Sequence, residues 1–339
     1  MNRQPGHNLL TFSLVLVLFL LSVLGCRQGS RLPQPSWTKS TVLAEREDHP
    51  SKILSDGSHL YYVTGGTVAS QQQGTNNIKR LSLKDGSVSV LVKGGERIPD
   101  PALALDEKFL YWSSGGQLLR VPKEGGESEI VVAGAGAPSE MLVDEENVYW
   151  ILWTGEGSPP KPLMFASKKG GGQARQLAPP QTGANGLCLD GDSVYWTTPE
   201  GIKKAAKTGG EAALFYDHPA TKQPTIGLAQ DAENFYFAQM DQRGHSALMK
   251  ISKKGGAPVQ IAPSINHVYD FAVANLYVYY FDEEKGGGSF GPIAFRKVSV
   301  NGGEPVTLDK GDAGWIKYIA VDDRQIYFTD ISKVYALAK

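Results

Sequence analysis

One short phrase, an apolar residue followed by tyrosine and a second aromatic residue, recurs along this 339-residue chain. The seven copies are Leu60-Tyr61-Tyr62, Leu110-Tyr111-Trp112, Val148-Tyr149-Trp150, Val194-Tyr195-Trp196, Phe235-Tyr236-Phe237, Val278-Tyr279-Tyr280 and Ile326-Tyr327-Phe328. Their central tyrosines are 50, 38, 46, 41, 43 and 48 residues apart. Periods of about 40 to 50 residues are typical of repeated units that bury their apolar faces only against their neighbours. The chain is therefore expected to fold as a single array of repeats.

Each unit predicts four short strands. An apolar run ends, in six units, in an aspartate five residues before the central tyrosine: Asp56, Asp106, Asp144, Asp190, Asp231 and Asp322, with Ala274 as the exception. A tight turn, the aromatic strand and a third strand follow, and then a glycine turn such as Lys253-Lys254-Gly255-Gly256 leads to a fourth strand. Valine, isoleucine, tyrosine and tryptophan favour strands, and paired glycines allow the positive φ of a tight hairpin.

Seven units of four antiparallel strands predict an all-β fold, a seven-bladed β-propeller that spans residues 41–339. The seventh unit ends at its third strand, Val334-Tyr335-Ala336-Leu337, whereas Thr41–Ala44 precedes the first unit as an extra strand. We expect this N-terminal strand to complete the last blade and to close the ring, because an open array would leave exposed sheet edges.

The N-terminus predicts export and lipid anchorage. Arg3 precedes an apolar run, Leu9–Leu24, which is short for a membrane span and typical of a signal peptide, here residues 1–25. The sequence Val23-Leu24-Gly25-Cys26 resembles a bacterial lipobox, which implies that Cys26 carries acyl chains such as palmitate. Residues 26–40 are then a flexible tether. The alternative is a plain secretory signal or an uncleaved anchor in which Cys26 is incidental.

Residue 27 and the overall composition constrain location and partners. Arg27 stands where aspartate would favour retention in the inner membrane, so we expect the outer membrane. A net charge of −1, with no basic tract, argues against nucleic acid as a partner. Cys188 is the one cysteine after Cys26, which leaves no intramolecular disulfide, and its apolar neighbours predict a core residue. No cofactor is expected, and we expect a monomer.

The repeat resembles the YWTD repeat of the low-density-lipoprotein-receptor propellers. In that family an apolar strand ends in aspartate and Leu-Tyr-Trp-Thr-Asp follows. The best matches here are Val194-Tyr195-Trp196-Thr197-Thr198 and Ile326-Tyr327-Phe328-Thr329-Asp330. The resemblance covers nearly all of residues 41–339 and implies a rigid disc that presents loops for protein binding. The receptor propellers have six blades, whereas seven units are counted here, and no unit carries the full tetrapeptide.

A candidate site follows from aligning the units on their aspartate. The residues four positions earlier should line the central channel, and there Lys52, Glu140, Asp270 and Tyr318 stand out, with Lys317 one position further out. Mixed charge at a channel mouth is compatible with binding of a polar ligand or a metal. It is equally compatible with a solvated ring of salt bridges.

Further candidates lie in loops and turns. The long segments Thr67–Asn77, Trp153–Pro162, Met240–His245 and Asp282–Pro292 are expected on the same face as the channel mouth, where binding loops reside. His49, His218 and His267 are a weaker candidate for a metal site. A row of lysines before the glycine turns, Lys123, Lys169, Lys207 and Lys254, is expected to be exposed and to keep the opposite face soluble.

These observations leave three hypotheses of function. The first is a non-catalytic, lipid-anchored binding module of the bacterial cell envelope, whose partner is an envelope protein or glycan. The second is a propeller-type enzyme, a lyase or lactone hydrolase, with a channel metal held by His49, Glu140, His267 and Asp270. The third is an envelope-assembly scaffold, which the sequence does not separate from the first. No catalytic motif is present to favour the second.

Overall fold

The computed structural model describes residues 37–65, 77–94, 102–152, 161–167, 173–181, 183–218, 225–241, 245–262, 268, 270–283, 292–311 and 318–339. These residues form strands and turns and contain no helix. No helix in these ranges is therefore long and apolar enough to cross a membrane.

The strands form seven four-stranded antiparallel sheets, each one blade of a β-propeller. Blade 1 contains β2 (Ser51–Ser55), β3 (His59–Thr64), β4 (Asn77–Ser82) and β5 (Val88–Val92). Blade 2 contains β6 (Leu103–Leu105), β7 (Phe109–Ser114), β8 (Gln117–Pro122) and β9 (Glu129–Val132). Blade 3 contains β10 (Pro138–Val143), β11 (Asn147–Leu152), β12 (Lys161–Ser167) and β13 (Arg175–Gln181). Blade 4 contains β14 (Asn185–Asp190), β15 (Ser193–Thr198), β16 (Gly201–Ala206) and β17 (Ala213–Asp217).

The remaining blades follow the same order. Blade 5 contains β18 (Thr225–Gln230), β19 (Asn234–Met240), β20 (Ser246–Ser252) and β21 (Val259–Gln260). Blade 6 contains β22 (Phe271–Ala274), β23 (Tyr277–Glu283), β24 (Ile293–Ser299) and β25 (Val306–Gly311). Blade 7 contains β26 (Ile319–Val321), β27 (Gln325–Thr329) and β28 (Lys333–Ala338), and its fourth strand is β1 (Thr41–Glu45). The predicted seven-bladed, all-β architecture is confirmed.

The tyrosine phrase is the packing unit between blades. In a strand, alternate side chains point to opposite faces, so each central tyrosine faces the next blade while its two neighbours face the previous one. Tyr61 packs with Leu110 and Trp112 of blade 2, and around the ring Tyr327 packs with Leu60 and Tyr62 of blade 1. The described residues form seven buried clusters, one at each junction of neighbouring blades. The phrase recurs because every blade needs both faces apolar.

The repeated aspartate caps the turn between the first two strands and also holds the tyrosine. In blade 1, Asp56 accepts backbone hydrogen bonds from Ser58 (3.0 Å) and His59 (2.8 Å), and its second oxygen accepts the Tyr61 hydroxyl at 3.0 Å. The same aspartate–tyrosine bond occurs in the blades of Asp106, Asp144, Asp231 and Asp322. Asp330 makes a further copy, with Tyr335 at 2.6 Å, in the turn between β27 and β28. One carboxylate therefore satisfies both a turn and a buried phenol.

The N-terminal strand closes the ring as predicted. β1 pairs antiparallel with β28, with Thr41 opposite Ala336 and Glu45 opposite Lys333. Ala44 lies in the buried cluster between blades 7 and 1. The sheet order of blade 7 is β1, β28, β27, β26, so the two ends of the described chain meet in a single blade.

The four residues before β1 are held against the propeller. Asp309 in β25 is 2% exposed. Its carboxylate accepts hydrogen bonds from the backbone nitrogens of Thr38 (3.2 Å), Lys39 (3.1 Å) and Ser40 (2.9 Å). It also accepts hydrogen bonds from the hydroxyl groups of Thr38 and Ser40. Trp37 packs edge-on against Phe328, with ring centroids 4.9 Å apart. We call residues 37–40 with Asp309 the N-terminal clamp. Of the tether expected at 26–40, residues 26–36 lie outside the described residues.

The lysines before the glycine turns correct the prediction of an exposed, solubilising row. Lys123 of blade 2 forms a 3.0 Å ion pair with Asp56 of blade 1, and each side chain is only 15% exposed. Lys207 pairs likewise with Asp144 at 3.0 Å. In blade 5 the bridging residue is Lys253, which pairs with Asp190 at 2.6 Å, whereas Lys254 is exposed. These lysines join neighbouring blades because each glycine turn lies beside the aspartate turn of the preceding blade; Lys169 lies outside the described residues.

Candidate functional site

The first strand of each blade lies innermost, and its start opens onto the face that carries the connections between blades, here called the upper face. Four residues before the repeated aspartate, the innermost strands are irregular. Lys52, Gly186 and Gly227 occupy this position in blades 1, 4 and 5, with φ of 39°, 56° and 63°. The strand pairing is interrupted at the same place in these blades. Lys52 is not a glycine, and a left-handed conformation costs such a residue about 1 kcal/mol or more.

Two carboxylates are fixed at this level by the backbone of the next blade. Glu140 of blade 3 accepts a hydrogen bond from the nitrogen of Gly186 in blade 4, at 3.0 Å. Asp270, which precedes β22 of blade 6, accepts one from the nitrogen of Ile319 in blade 7, at 3.0 Å, and a second from Phe271 at 2.9 Å. Both carboxylates are thus held in place, and each links two blades.

The lysine and the tyrosine of the predicted site are in direct contact. The ammonium of Lys52 lies 4.5 Å from the centre of the Tyr318 ring, a cation–π contact between blade 1 and blade 7. Tyr318 directly precedes Ile319, whose nitrogen holds Asp270. Lys52, Tyr318 and Asp270 therefore form one continuous group, and the predicted ligand-binding role of these residues stays a prediction.

The charges of this group interact without forming ion pairs. Burial raises the pKa of Asp270 to about 6, and the negative charge of Glu140 raises it in the same direction. The hydrogen bond from the Ile319 N–H and the positive charge of Lys52 act to lower this pKa. No ion pair within 4.0 Å involves Lys52, Glu140 or Asp270 among the described residues. All three side chains are partly exposed. We call Lys52, Glu140, Asp270 and Tyr318 the channel mouth; over the described ranges they do not form the salt-bridge ring considered above.

One side of the channel mouth is narrow. A Cβ atom added to Gly186 would lie 2.6 Å from the backbone of Gly227 and Leu228, and one added to Gly227 would lie 2.8 Å from the Phe271 ring. The innermost strands of blades 4, 5 and 6 are therefore in contact where Glu140 and Asp270 are anchored. Only glycine fits at the first two positions, for reasons of both space and φ.

The other candidates are not brought together. His49 contacts its neighbour Asp48 at 2.9 Å, whereas His218 is 7% exposed and contacts Gln239, and burial lowers the pKa of its imidazole. The described ranges contain no group of three or more histidine, cysteine, aspartate or glutamate side chains that could hold a metal ion. His267, Lys317 and Cys26 lie outside these ranges, as do most of the four long segments that were expected on the upper face.

Cys188 is a core residue, as predicted. Its thiol lies in the cluster between blades 4 and 5 and donates to the carbonyl of Leu228 at 3.3 Å. Burial raises the pKa of the thiol to about 12, which leaves it without nucleophilic thiolate at neutral pH.

Sequence reasoning missed the N-terminal clamp and the lysine bridges. Asp309 has no special sequence context, so nothing signalled its bonds to residues 38–40. The lysine bridges were indicated in the sequence by the constant position of a lysine before the glycine turn. That position alone does not distinguish an exposed lysine from one that forms an ion pair. The residues of the channel mouth could be placed at one level because the repeat gives the alignment of the innermost strands.

Comparisons with known proteins place the fold. No family model matches the chain, and no curated protein matches its sequence. Among solved structures, an oligogalacturonate lyase from Vibrio parahaemolyticus is similar with a TM-score of 0.62 and 11% identity, over 90% of this chain and 96% of that one. The β-propeller domain of the Trilobed protease from Pyrococcus furiosus, described as having an open velcro topology, gives a TM-score of 0.62 and 12% identity, over 86% and 95%.

A nidogen/laminin complex is also similar, with a TM-score of 0.51 and 16% identity, over 75% of this chain and 93% of that one. These neighbours, a nidogen/laminin complex, a lyase and a protease domain, all have low sequence identity to the chain, so they establish the fold and leave the function open. The chain is a seven-bladed β-propeller whose ring is closed by its own N-terminal strand.

Proposed function

We propose that this chain is a lipid-anchored propeller of the bacterial cell envelope, a non-catalytic module or scaffold that binds an envelope protein or glycan at the channel mouth. The observation that carries the proposal is the convergence of three charges that form no ion pair, Lys52, Glu140 and Asp270, each from a different blade. All three side chains are partly exposed, so converging charges that form no ion pair with one another are accessible to a polar partner.

The rest of the molecule fits this role. Seven buried junctions and a closed ring make a rigid support, and a rigid support lowers the entropic cost of presenting a binding surface. The lipobox at Cys26 supports anchorage through the lipid, by which the domain is held at the membrane, and Arg27 supports the outer membrane.

The test is crosslinking of the full, lipid-anchored chain in its native envelope, followed by identification of what co-purifies. A variant carrying Lys52→Ala, Glu140→Gln, Asp270→Asn and Lys317→Ala is compared with a control that changes four exposed residues of the opposite face: Lys84→Ala, Glu127→Gln, Lys254→Ala and Glu304→Gln. A defined partner lost with the first set and kept with the second supports the proposal. A partner kept with both sets would place binding elsewhere.

A propeller-type lyase or lactone hydrolase is the second candidate function. The raised pKa of Asp270 favours it, because a carboxyl that titrates near neutrality is suited to proton transfer. Metal analysis of the purified chain is the discriminating measurement. A stoichiometric metal that Glu140→Gln and Asp270→Asn remove would favour the enzyme over the binding module.

A further inference from the structure

The outer edge of blade 1 differs from the outer edges of the other blades. Its fourth strand, β5, has the sequence Val88-Ser89-Val90-Leu91-Val92, with no charged residue and no proline. Sheet edges are normally protected against further pairing by charges, by proline or by shortness. In the described ranges every other fourth strand has such protection, and β21 has only two residues. The protecting residues are Glu129 in β9, Arg175, Pro179 and Pro180 in β13, Asp217 in β17, Lys310 in β25 and Glu45 in β1.

The edge of β5 is also open to solvent, since residues 84–90 are all exposed. Val88 and Val90 are 41% and 45% exposed, and as alternate residues they lie on one face of the strand. β5 bulges at Leu91, which confines the regular free edge to the first half of the strand. An exposed apolar edge of this kind favours pairing with a further strand.

The backbone groups that this edge offers follow from the pairing of β5 with β4. The nitrogen of Ser82 in β4 donates to the carbonyl of Ser87 at 2.9 Å. Hydrogen-bonded and non-hydrogen-bonded pairs alternate along an antiparallel ladder, so Ser89 also turns its N–H and C=O towards β4. The N–H and C=O groups of Val88 and Val90 therefore point outwards, where another strand can pair with them.

We infer that β5 pairs antiparallel with β5 of a second copy of this chain, about a two-fold axis at Ser89. In this register Val88 of each copy stands opposite Val90 of the other, and each such pair exchanges two backbone hydrogen bonds. The valines of both copies then lie on one face and cover one another. The register also brings Lys93, beyond the end of β5, towards the turn that carries Asp85 of the second copy, and both of these residues are exposed. The opposite charges attract on both sides of the axis.

A second copy fits better than an unrelated strand because the edge is complementary to itself in backbone, side chains and charge. The interface is small, and a pairing of this length buries less than the roughly 1,200 Å² of stable complexes, so the dimer is expected to be transient in solution. A monomer–dimer equilibrium then replaces the monomer expected from the sequence. The inference is independent of the proposed function, because β5 is the outermost strand of blade 1 and the channel mouth lies at the innermost strands.

The first test measures self-association of the full, lipid-anchored chain by sedimentation equilibrium in a density-matched non-ionic detergent. We expect a concentration-dependent dimer. Val90→Lys places a charge on the free edge and should weaken the dimer at least tenfold. Leu214→Lys makes the same kind of change at an exposed residue of β17 and should leave the dimer unchanged. A monomer at every concentration, or a dimer that is equally stable with Val90→Lys, would overturn the inference.

The attraction between the copies is tested by reversing one charge. Lys93→Glu brings a negative charge towards Asp85 of the second copy and should weaken the dimer severalfold at low salt, with a smaller effect at high salt. Lys254→Glu, an exposed change in the glycine turn of blade 5, is the control and should have no effect. Equal dimer stability for the two variants would overturn the proposed register.

A cysteine at the two-fold axis tests the pairing directly. Ser89 and its counterpart form a non-hydrogen-bonded pair, whose Cα atoms lie about 4.5 Å apart, within the range that a disulfide spans. Ser89→Cys should therefore form a covalent dimer under mild oxidation faster than Ile130→Cys at an exposed position of β9. The native chain, in which Cys188 is buried, gives the background.

Equal rates of crosslinking for the two cysteine variants would overturn the inference. The same experiment in the native envelope identifies the occupant of the edge. A Ser89→Cys chain that crosslinks to a different protein in place of a second copy would assign the edge to a strand of that protein, and would overturn the assignment to a dimer.

Discussion

At the scale of single residues, the titration of Asp270 is the most informative property of the channel mouth. Burial raises its pKa to about 6, so the carboxyl is mostly ionised at pH 7 and mostly neutral at pH 5. The groups that act on it among the described residues are Lys52 and Glu140, together with the N–H groups of Ile319 and Phe271.

Substituting its charged neighbours should move this titration in opposite directions. Lys52→Met removes a positive charge and should raise the pKa of Asp270 further, whereas Glu140→Gln removes a negative charge and should lower it. Carboxyl carbon-13 NMR across pH 4 to 8 measures both shifts. A titration that neither substitution moves would show that these charges do not converge at the channel mouth.

The raised pKa of Asp270 also determines whether its contribution to folding stability rises or falls with pH. The folded state holds a proton on Asp270 that the unfolded chain releases near its ordinary value of 3.8. The contribution of Asp270 to folding is therefore greatest below pH 4 and is lost as pH rises towards 6. Asp309 has the opposite sign. Burial alone would raise its pKa, but hydrogen bonds from Ser40, Thr38 and Lys39 hold it below the ordinary value.

Gly186 tests how tightly the innermost strands are packed. Gly186→Ala places a Cβ atom 2.6 Å from the backbone of Gly227 and adds left-handed strain at φ 56°. The clash should cost about 1 to 3 kcal/mol beyond the strain. Gly57→Ala is the control, because Gly57 has φ 81° and open space around it, so only strain is expected. Chemical unfolding of both variants measures the difference, and equal losses would contradict close contact between these strands.

At the scale of elements, the lysine bridges should contribute to the joining of blades. Lys123→Met breaks the ion pair with Asp56, and because both side chains are largely covered the loss should be about 1 kcal/mol, above the usual value for exposed pairs. Lys254→Met, an exposed lysine in the corresponding turn of blade 5, should have almost no effect. Thermal melts of the two variants make the comparison. Equal melting temperatures for the Lys123→Met and Lys254→Met variants would show that Lys123 does not stabilise the junction between blades, as expected for a lysine that only keeps the surface soluble.

The N-terminal clamp should be sensitive to acid. Asp309→Asn removes a carboxylate that accepts bonds from three residues, at a cost of about 1 to 3 kcal/mol at pH 7. The pKa of Asp309 is lower in the folded state than its ordinary value of 3.8. The carboxylate therefore stabilises the fold fully at pH values above 3.8, and this stabilisation is lost as the pH falls through the lowered pKa. The difference between the variant and the native chain should therefore shrink below pH 4. Asp323→Asn is the control, because it changes an exposed carboxylate in the turn between β26 and β27 of blade 7.

The elements were largely predictable, and the reason is the repeat. A single short apolar run does not define a strand with certainty, but seven aligned copies of one phrase do. The strand order, the turn aspartates and the closing strand could therefore all be predicted from the alignment. Contacts that occur once, such as Trp37 against Phe328 or Asp309 with Ser40, have no such support. For the same reason the alignment identified the channel mouth, whereas its unpaired charges and the crowding at Gly186 required the structure.

At the scale of the whole molecule, ring closure should control cooperativity. Removing residues 37–45 takes away both β1 and the clamp, which leaves β28 with an unpaired edge and uncovers the cluster that contains Ala44. We expect a much lower melting temperature and a broader transition, measured by circular dichroism and calorimetry. A control that removes residues 27–34 should melt like the native chain. Melting of the first variant at the native temperature would show that the ring holds without its closing strand.

The position of the clamp also has a mechanical consequence. Tension applied to the chain anywhere ahead of Trp37 reaches Trp37 and the hydrogen bonds of Asp309 before it reaches β1. If the clamp breaks first, residues 37–40 can extend while β1 stays paired with β28. A molecule pulled by its N-terminus would thus lengthen at the clamp before any blade loses a strand, and its seven blades would keep their geometry.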